Sequence, residues 1–386
     1  YRGLGLPDGM AQAANLVHTT FIFILSSVLP QNLLRYSMIT LLHLAGGISM
    51  YFLIIKLLAK TANGQWSMVN GQLLSFIAAL FYMFNIGVIQ IFFAPLEVFA
   101  FHFAALPVLS LWIKNSLDKP SPKNILILFI SSFLVSPQGF VPTLFIVFLM
   151  ILAAFAVVDF VKSRSFKKIF LVCATIFAAN AFWLMPYSYT ALHTAKTIQS
   201  ARINQFSSEE IFYRNAASGD ISNVLSMKGF MLDSIEHDNN QNLDILFMQQ
   251  WRDLYKKFYV KIISLVFILT FLIGIGSAIL KKQKQFYPFL IGSGISFFFL
   301  ANNTLILAQA NSLIRTLLPA VGEAFRFPFT KFIILFAFCF SIFAALGLSF
   351  LIERLSKIQT YVHYSLFIIL ISAIFLIAHP VFTGNF

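Results

Sequence analysis

The sequence contains few charged residues. Asp, Glu, Lys and Arg make up 11% of its 386 residues, whereas soluble globular proteins carry roughly 25%. Hydrophobic residues account for 59% of the chain, including 47 phenylalanines, and the mean hydropathy is +0.83. So few charges are not enough to cover a globular surface in water. We therefore expect most of the surface to face lipid.

Cysteine is also scarce. Cys173 and Cys339 both lie inside apolar runs, where a free cysteine behaves as a small buried hydrophobic residue. A disulfide framework is excluded, and no metal-ligand spacing occurs. The sequence identifies no cofactor, and it leaves open whether a divalent cation takes part. Neither an initial methionine nor a signal-peptide pattern is present at Tyr1, so we expect the natural N-terminus to lie upstream.

Apolar runs of membrane-spanning character occur about ten times along the chain. The run at 124–136 is short, and Ser136-Pro137-Gln138-Gly139 follows it, which indicates a helical hairpin or a broken element over 124–158. The predicted spans are 33–57, 71–88, 92–113, 124–136, 140–158, 169–186, 259–280, 288–308, 329–351 and 363–380. We predict an all-α, polytopic membrane protein with a single transmembrane domain over residues 1–386.

The net charge of +13 is concentrated in short loops between these spans. Fourteen of the 27 lysines and arginines, against three acidic residues, fall in five loops that are each separated by two spans. The loops are Lys56 to Asn70, Lys114 to Lys123, Asp159 to Lys168, Lys281 to Lys284 and Glu353 to Lys357. The positive-inside rule then places all five in the cytoplasm. This distribution argues against nucleic acid as a partner.

The remaining loops are predicted on the external side of a plasma (inner) membrane. The stretch 187–258 balances seven basic against eight acidic residues. Ser207 and Glu210 fit a capping box, Asp238 to Asn242 indicates a turn, and we expect a few short helices that cap the membrane domain. Residues 13–29 predict an interfacial or re-entrant helix; if they span instead, the residues before them are cytoplasmic. The other external segments are 1–32, 309–328, the tips near Gln90 and Pro137, and the C-terminal tail.

Ionisable side chains at membrane depth are costly, so each is a candidate functional residue. Glu97 is predicted about one turn inside its span, either as the partner of an arginine or as a site residue. His102 follows five residues later and lies on a different helix face. His43 sits mid-span beside small residues, which favours a role in helix packing.

The richest cluster of candidate site residues lies at the external edge of the ninth span. Arg326 precedes Pro328, which suits the first turn of a helix, and Lys331 lies one turn inside. A helix N-terminus favours anions, and arginine offers two donors to a phosphate. Together with Arg315, these residues predict a lipid-phosphate or pyrophosphate site. The alternative is snorkelling of the cations to the interface, with Glu323 paired to Arg326.

Near the N-terminus, Asp8 follows Gly3-Leu4-Gly5-Leu6-Pro7, and His18 comes ten residues later. These glycines are no dinucleotide fingerprint, because no strand precedes them. A turn beside the membrane is the simpler interpretation of Asp8. As a lone acid near an external cavity, Asp8 is also a candidate general base.

This layout resembles the GT-C superfamily of membrane glycosyltransferases. One matching piece is Leu4-Gly5-Leu6-Pro7 with the short helix predicted at 13–29. The other is Phe325-Arg326-Phe327-Pro328-Phe329-Thr330-Lys331-Phe332, which is similar to the Arg-to-Lys stretch of arabinofuranosyltransferase-like and YfhO-like bacterial membrane proteins. The likeness covers most of the chain as architecture, whereas its residue motifs are short.

The resemblance implies transfer of a sugar from a polyprenyl-phosphate donor to a cell-envelope glycan acceptor on the external face of the bilayer. Asp8 or Glu97 would then be the catalytic acid, and Arg326, Lys331 and Arg315 would hold the donor phosphate. There is one departure from the family pattern. GT-C enzymes usually carry their acid soon after the first membrane helix, and we expect this chain to begin within that loop, so the acid could precede Tyr1.

Three other functions stay open. A transporter or flippase for lipid-linked glycans predicts broken helices near the midplane and ionisable residues through the depth of the bundle, and only His43 is clearly at mid-depth. An O-antigen-ligase-type enzyme needs a cation and a histidine in the large external loop. The residues that leave this possible are His193, Arg202, Arg214 and His237. A purely structural scaffold is the third alternative.

Overall fold

The computed structural model describes residues 11–59, 68–93, 96–200, 213–214, 216–238, 243–354 and 360–383. Almost all regular structure in these ranges is helical. The α-helices are α1 (Leu16–Ser26), α2 (Gln31–Ala59), α3 (Met68–Phe84), α4 (Ile86–Phe93), α5 (Glu97–Asp118), α6 (Pro122–Leu134), α7 (Pro142–Ser163), α8 (Phe166–Ser200), α9 (Ile221–Leu225), α10 (Gln249–Lys256), α11 (Phe258–Leu280), α12 (Tyr287–Leu300), α13 (Leu305–Leu317), α14 (Pro319–Ala324), α15 (Pro328–Arg354), α16 (Thr360–Ile377) and α17 (His379–Phe382). Short 3-10 helices cover Ala11–Asn15, Ser136–Phe140, Phe230–Asp233 and Lys284–Phe286.

The chain divides into two compact units. The first comprises Tyr1–Ser49, Pro95–Tyr213 and Ala320–Arg326. The second comprises Met50–Ala94, Arg214–Pro319 and Phe327–Phe386. The stretch 187–258, predicted as one cap, therefore contributes residues to both units.

Six helices in the described ranges are long and apolar enough to cross a membrane, and up to eight if each bent pair of helices counts as one span. The prediction of a helical membrane protein is confirmed. The predicted number of ten spans is not confirmed. Helix α6 has 13 residues and is roughly 20 Å long, which is shorter than the hydrocarbon core of a bilayer. Helix α16 has 18 residues, of which Ser365–Ile377 is the part identified as apolar.

The bent pairs replace two spans that the sequence predicts as continuous helices. Gly71–Phe84 and Ile86–Phe93 meet at 42°, and Lys284–Leu300 and Leu305–Leu317 meet at 87°. Gln90 was expected near an external tip, but it lies inside α4 and is fully buried. Its side chain donates to the Met227 carbonyl at 3.0 Å and accepts from the Gly229 N–H at 3.1 Å. The segment after α9 is thereby bonded to α4.

Helix α8 is longer than the sequence predicts. The predicted span ends at 186, where the apolar run ends, and a proline at that position removes a helical hydrogen bond. The helix instead continues through Pro186 to Ser200, since losing one bond does not end a long membrane helix.

A short β-hairpin is the second departure from the predicted all-helical cap. Strand β1 (Ile235–Asp238) pairs antiparallel with β2 (Leu243–Leu246), with Ile235 opposite Leu246. The turn predicted at Asp238 to Asn242 falls between the strands, although 239–242 lie outside the described residues. The predicted capping box at Ser207 and Glu210 also lies outside them. A different cap is present at α9, where the Asp220 carboxylate accepts from the Asn223 N–H at 3.0 Å.

Polar side chains connect the helices of the first unit. The Trp183 indole donates to Asn180 at 2.8 Å, and Asn180 donates to Ser132 at 2.9 Å, which joins α8 to α6. His102 and Gln138 share a hydrogen bond of 3.0 Å, and both are buried. The 3-10 turn that follows α6 is thus part of the core of the first unit, and its predicted position on the external side stays a prediction.

The second unit is organised around α15, whose residues are buried along most of its length. Helices α11 and α15 approach backbone to backbone at Gly274 and Gly347. A Cβ on Gly347 would overlap the Thr270 carbonyl oxygen, and one on Gly274 would overlap that of Phe343. Small residues permit such close approach in membrane helices.

One ion pair bears on the predicted topology of the second unit. Lys281 Nζ lies 2.7 Å from Glu353 Oε2, and these residues follow α11 and end α15. The two basic loops at Lys281 to Lys284 and at Glu353 therefore lie at the same end of this unit, as the alternation of spans predicts.

Candidate functional site

Glu97 is the first residue of α5, rather than one turn inside it as predicted. Its Oε1 lies 2.6 Å from Nε of Arg35 on α2, and the two side chains are 25% and 56% exposed. The free N–H groups at a helix start favour a carboxylate there. Glu97 therefore has the arginine partner that one of its two sequence interpretations predicts, while its carboxylate stays accessible.

His18 on α1 lies beside this ion pair. Its ring packs edge-on against Phe101 at 5.8 Å, and Phe101 follows Glu97 by one helical turn. Both ring nitrogens of His18 are buried and have no hydrogen-bond partner within the described ranges. Burial lowers the pKa of His18, and the negative charge of Glu97 opposes that shift. The imidazole therefore favours its neutral form.

The first unit thus joins a carboxylate and a guanidinium at the start of α5, with a neutral imidazole near enough for the charge of Glu97 to act on it. Such groups can accept a proton, balance a negative charge and relay a proton. A partly exposed ion pair contributes little to stability. In a chain with so few charges, this arrangement is the strongest candidate for chemistry in the first unit.

The predicted phosphate-binding cations are divided between the units. Arg326 belongs to the first unit, where its Nη1 lies 2.9 Å from Glu323 Oε1. This is the pairing that the snorkelling alternative predicts. Arg315 ends α13 and Lys331 lies in the first turn of α15, both in the second unit. A joint phosphate site made by these three cations stays a prediction.

The other candidates have different surroundings. Asp8 lies outside the described residues. The ring of His43 stacks on that of Phe103 at 5.1 Å. The absence of a side chain at Gly46 makes room for the Phe103 ring. His193 is exposed and bonds the Tyr189 carbonyl of its own helix at 2.7 Å.

The sequence did not point to Arg35 as the partner of Glu97, or to Gln138 as the partner of His102. Arg35 and Glu97 are 62 residues apart, and no local spacing relates them. The available signal was the rarity of arginine in apolar helices, which makes each one a candidate by default.

No group of three or more His, Cys, Asp and Glu side chains within the described part of the chain could hold a metal ion. Comparison of the chain with protein-family models, curated proteins and solved structures finds no match. The apolar helices define the class of the protein, a polytopic helical membrane protein.

Proposed function

We propose that the protein is a membrane glycosyltransferase that moves a sugar from a polyprenyl-phosphate donor to a cell-envelope glycan. The observation that carries this proposal is the ion pair of Glu97 with Arg35 at the start of α5, with His18 near enough for the charge of Glu97 to act on its pKa. Group transfer needs a base beside groups that balance charge, and this cluster offers both in the described part of the first unit. No nucleotide site is required, because the sugar arrives on a lipid phosphate.

The reaction breaks the bond between the anomeric carbon and the phosphate oxygen of the donor. The acceptor hydroxyl oxygen attacks that carbon and forms the new glycosidic bond, while Glu97 takes the hydroxyl proton. The lipid phosphate leaves with the bonding electron pair, and Arg326, which belongs to the same unit as Glu97, stabilises its charge. Fixed cations at the point where charge develops lower the barrier.

The proposal includes a GT-C-like arrangement of the spans in the plasma membrane, with this chemistry on the external face. Its support is the distribution of basic loops in the sequence and the joining of two of them by the Lys281–Glu353 pair. The partners are the lipid bilayer, the polyprenyl-phosphate sugar and the glycan acceptor. The proposal leaves open whether a divalent cation takes part.

The test reconstitutes the protein in liposomes with a radiolabelled polyprenyl-phosphate sugar and a glycan acceptor. We expect saturable donor binding and release of free lipid phosphate upon addition of acceptor. Arg326→Ala should weaken donor binding by roughly tenfold or more, which corresponds to one lost charge-assisted contact.

Arg252→Ala is the matched control, because Arg252 is an arginine of similar exposure that pairs with Asp233 at 3.2 Å. Its donor binding should equal that of the unmodified protein. Full donor affinity and rate in Arg326→Ala would remove Arg326 from the donor site. Absence of donor binding in the unmodified protein would contradict the glycosyltransferase itself.

A transporter of lipid-linked glycans is the second candidate, and the helix break at Asn85 favours it. Asn85 lies between α3 and α4 and is 2% exposed. Its amide bonds the Phe81 and Tyr82 carbonyls and accepts from the Val88 N–H. Broken helices with polar groups at the break are common at transporter binding sites.

The same liposomes distinguish the two functions. Movement of intact labelled donor to the opposite leaflet, without release of lipid phosphate, would identify a transporter. Asn85→Leu should then stop this movement, whereas a glycosyltransferase would lose activity in this variant only as far as its fold is disturbed.

A further inference from the structure

A cleft in the second unit has features of a binding site that the proposed function does not use. It lies between residues 218–228, the end of α12 and the first turn of α15. The cleft encloses about 280 Å³ including its opening to solvent, and its enclosed inner part holds no more than about one water molecule. Its polar lining residues are Ser218, Lys228 and Asn302.

Asn302 is the main reason to expect a ligand. The residue is 4% exposed, and neither Oδ1 nor Nδ2 of its amide has a hydrogen-bond partner among the described residues. Buried amides are nearly always bonded. The backbone holds Asn302 in place, because the Asn303 N–H donates to the Gly219 carbonyl at 3.0 Å.

Lys228 supplies an incompletely balanced positive charge at the same cleft. The pKa of Lys228 is lowered, and burial is the largest cause. Repulsion from Lys261 lowers the pKa further, whereas the charges of Asp220 and Asp233 raise it. Its ammonium lies 5.9 Å from the centre of the Tyr255 ring. No carboxylate among the described residues lies within 4 Å of it. An anion in the cleft would balance the charge at little cost.

The start of α15 adds a third favourable element. Pro328 and Phe329 line the cleft, and the first turn of this 27-residue helix has N–H groups without a helical partner. The partial positive charge at a helix N-terminus favours an anion.

We propose that the mouth of this cleft binds a phosphate group, to which the Asn302 amide and the Ser218 hydroxyl donate hydrogen bonds and for which Lys228 provides the counter-charge. The phosphate is either free or the headgroup of a lipid. The site is separate from the cluster at Glu97, and every residue that forms it belongs to the second unit. The proposal therefore does not rest on the proposed function.

The first experiment measures lysine acetylation in the full chain, held in phosphatidylcholine nanodiscs and analysed by peptide mass spectrometry. Inorganic phosphate should slow acetylation of Lys228 saturably, by roughly tenfold, relative to chloride at equal ionic strength. Lys256 is the internal control, because it is exposed and pairs with Asp253 at 3.0 Å, so its rate should not change.

Nanodiscs that contain phosphatidic acid form the second arm. Protection of Lys228 by inorganic phosphate identifies a soluble source, and protection by phosphatidic acid alone identifies a lipid headgroup. Equal acetylation of Lys228 in both arms and in chloride would overturn the proposal, and a water would then be the occupant of the cleft.

Variants test the assignment of residues. Lys228→Met and Asn302→Ala should each weaken binding of the protecting probe by roughly tenfold or more, whereas Lys256→Met should leave it unchanged. Thermal melting identifies any variant that fails to fold. The acetylation of the unmodified protein tests phosphate binding in the cleft without any variant. Equal binding in folded Lys228→Met and in the unmodified protein would contradict the proposed role of Lys228.

Discussion

The two units differ in how their helices recognise one another. In the first unit, polar side chains bond between segments, as His102 does with Gln138 and Asn180 does with Ser132. In the second unit, α11 and α15 meet through glycines and aromatic rings, and Phe271 stacks on Phe340 at 4.4 Å and 3°. Lipid is as apolar as a helix surface, so burial of apolar area does not by itself select a partner helix. The polar bonds of the first unit and the close contact of α11 with α15 are two different substitutes for that missing selectivity.

This difference has an energetic consequence. A hydrogen bond between helices contributes a net stabilisation of about 1 kcal/mol, and its loss can be offset if both partners become apolar. A substitution at a glycine in a backbone-to-backbone contact cannot be offset in this way, because the backbone carbonyl that the new side chain would overlap cannot rotate away. We therefore expect the second unit to be the less tolerant of substitution at its helix contacts.

The largest effect is expected from Gly347→Leu in the second unit. The new side chain would overlap the Thr270 carbonyl oxygen, and overpacking costs typically about 1–3 kcal/mol and more in some cases. We expect loss of the monodisperse protein in detergent and a large fall in its melting temperature. Gly276→Leu is the control, because nothing lies within 4 Å of a Cβ at that position on α11. Equal melting of the two variants would show that the close approach of α11 and α15 is not required.

The second largest effect is expected from Glu97→Gln in the first unit. The amide keeps the size of the side chain but loses the proton acceptor, so sugar transfer should fall by about 10²–10⁴-fold. Donor binding and the melting temperature should change little. Glu353→Gln serves as the control, because Glu353 is also ion-paired but lies outside the candidate site. A transfer rate within twofold of normal would exclude Glu97 as the base.

A smaller effect is expected from Gln138→Leu, which breaks the buried bond to His102. Loss of a partner in a buried place costs about 1–3 kcal/mol, so the melting temperature should fall measurably. The double variant His102→Phe with Gln138→Leu should recover part of this loss, because both sites are then apolar. If the two single effects simply add, the bond does not stabilise the first unit, and the contrast between the units weakens.

The smallest effect is expected from Lys281→Met at the end of the second unit. Its partner Glu353 is 53% exposed, and exposed ion pairs contribute at most about 1 kcal/mol. The melting temperature should shift by a few degrees or less, and high salt should remove the difference. A loss comparable to that of Gly347→Leu would mean that this pair, rather than the glycine contact, holds α11 to α15.

Much of the fold follows from local patterns in the sequence. The spans at 33–57, 92–113, 140–158, 259–280 and 329–351 correspond to helices long enough to cross a bilayer, because a long apolar run forms such a helix in lipid whatever surrounds it. The ends of the helices were less well predicted. The boundaries predicted at 186 and just before Gln90 differ from those of the structure, since neighbouring segments decide whether a helix continues, bends or stops.

The candidate sites depend more strongly on tertiary structure. Glu97, His18, Arg326 and Glu323 were identifiable because charges are rare in apolar helices and each demands an explanation. Their partners were not. Arg35 reaches Glu97 from another helix, and sequence spacing does not encode a contact between helices.

Composition and the placement of charge by themselves determined that this is a helical membrane protein, because lipid imposes the same demand on every apolar segment along the chain. Tertiary structure alone decided which charges meet, where helices break at Asn85, and that Asn302 and Lys228 line one cleft. These features depend on distances between segments far apart in sequence. Such distances follow from the packing of whole helices rather than from local composition.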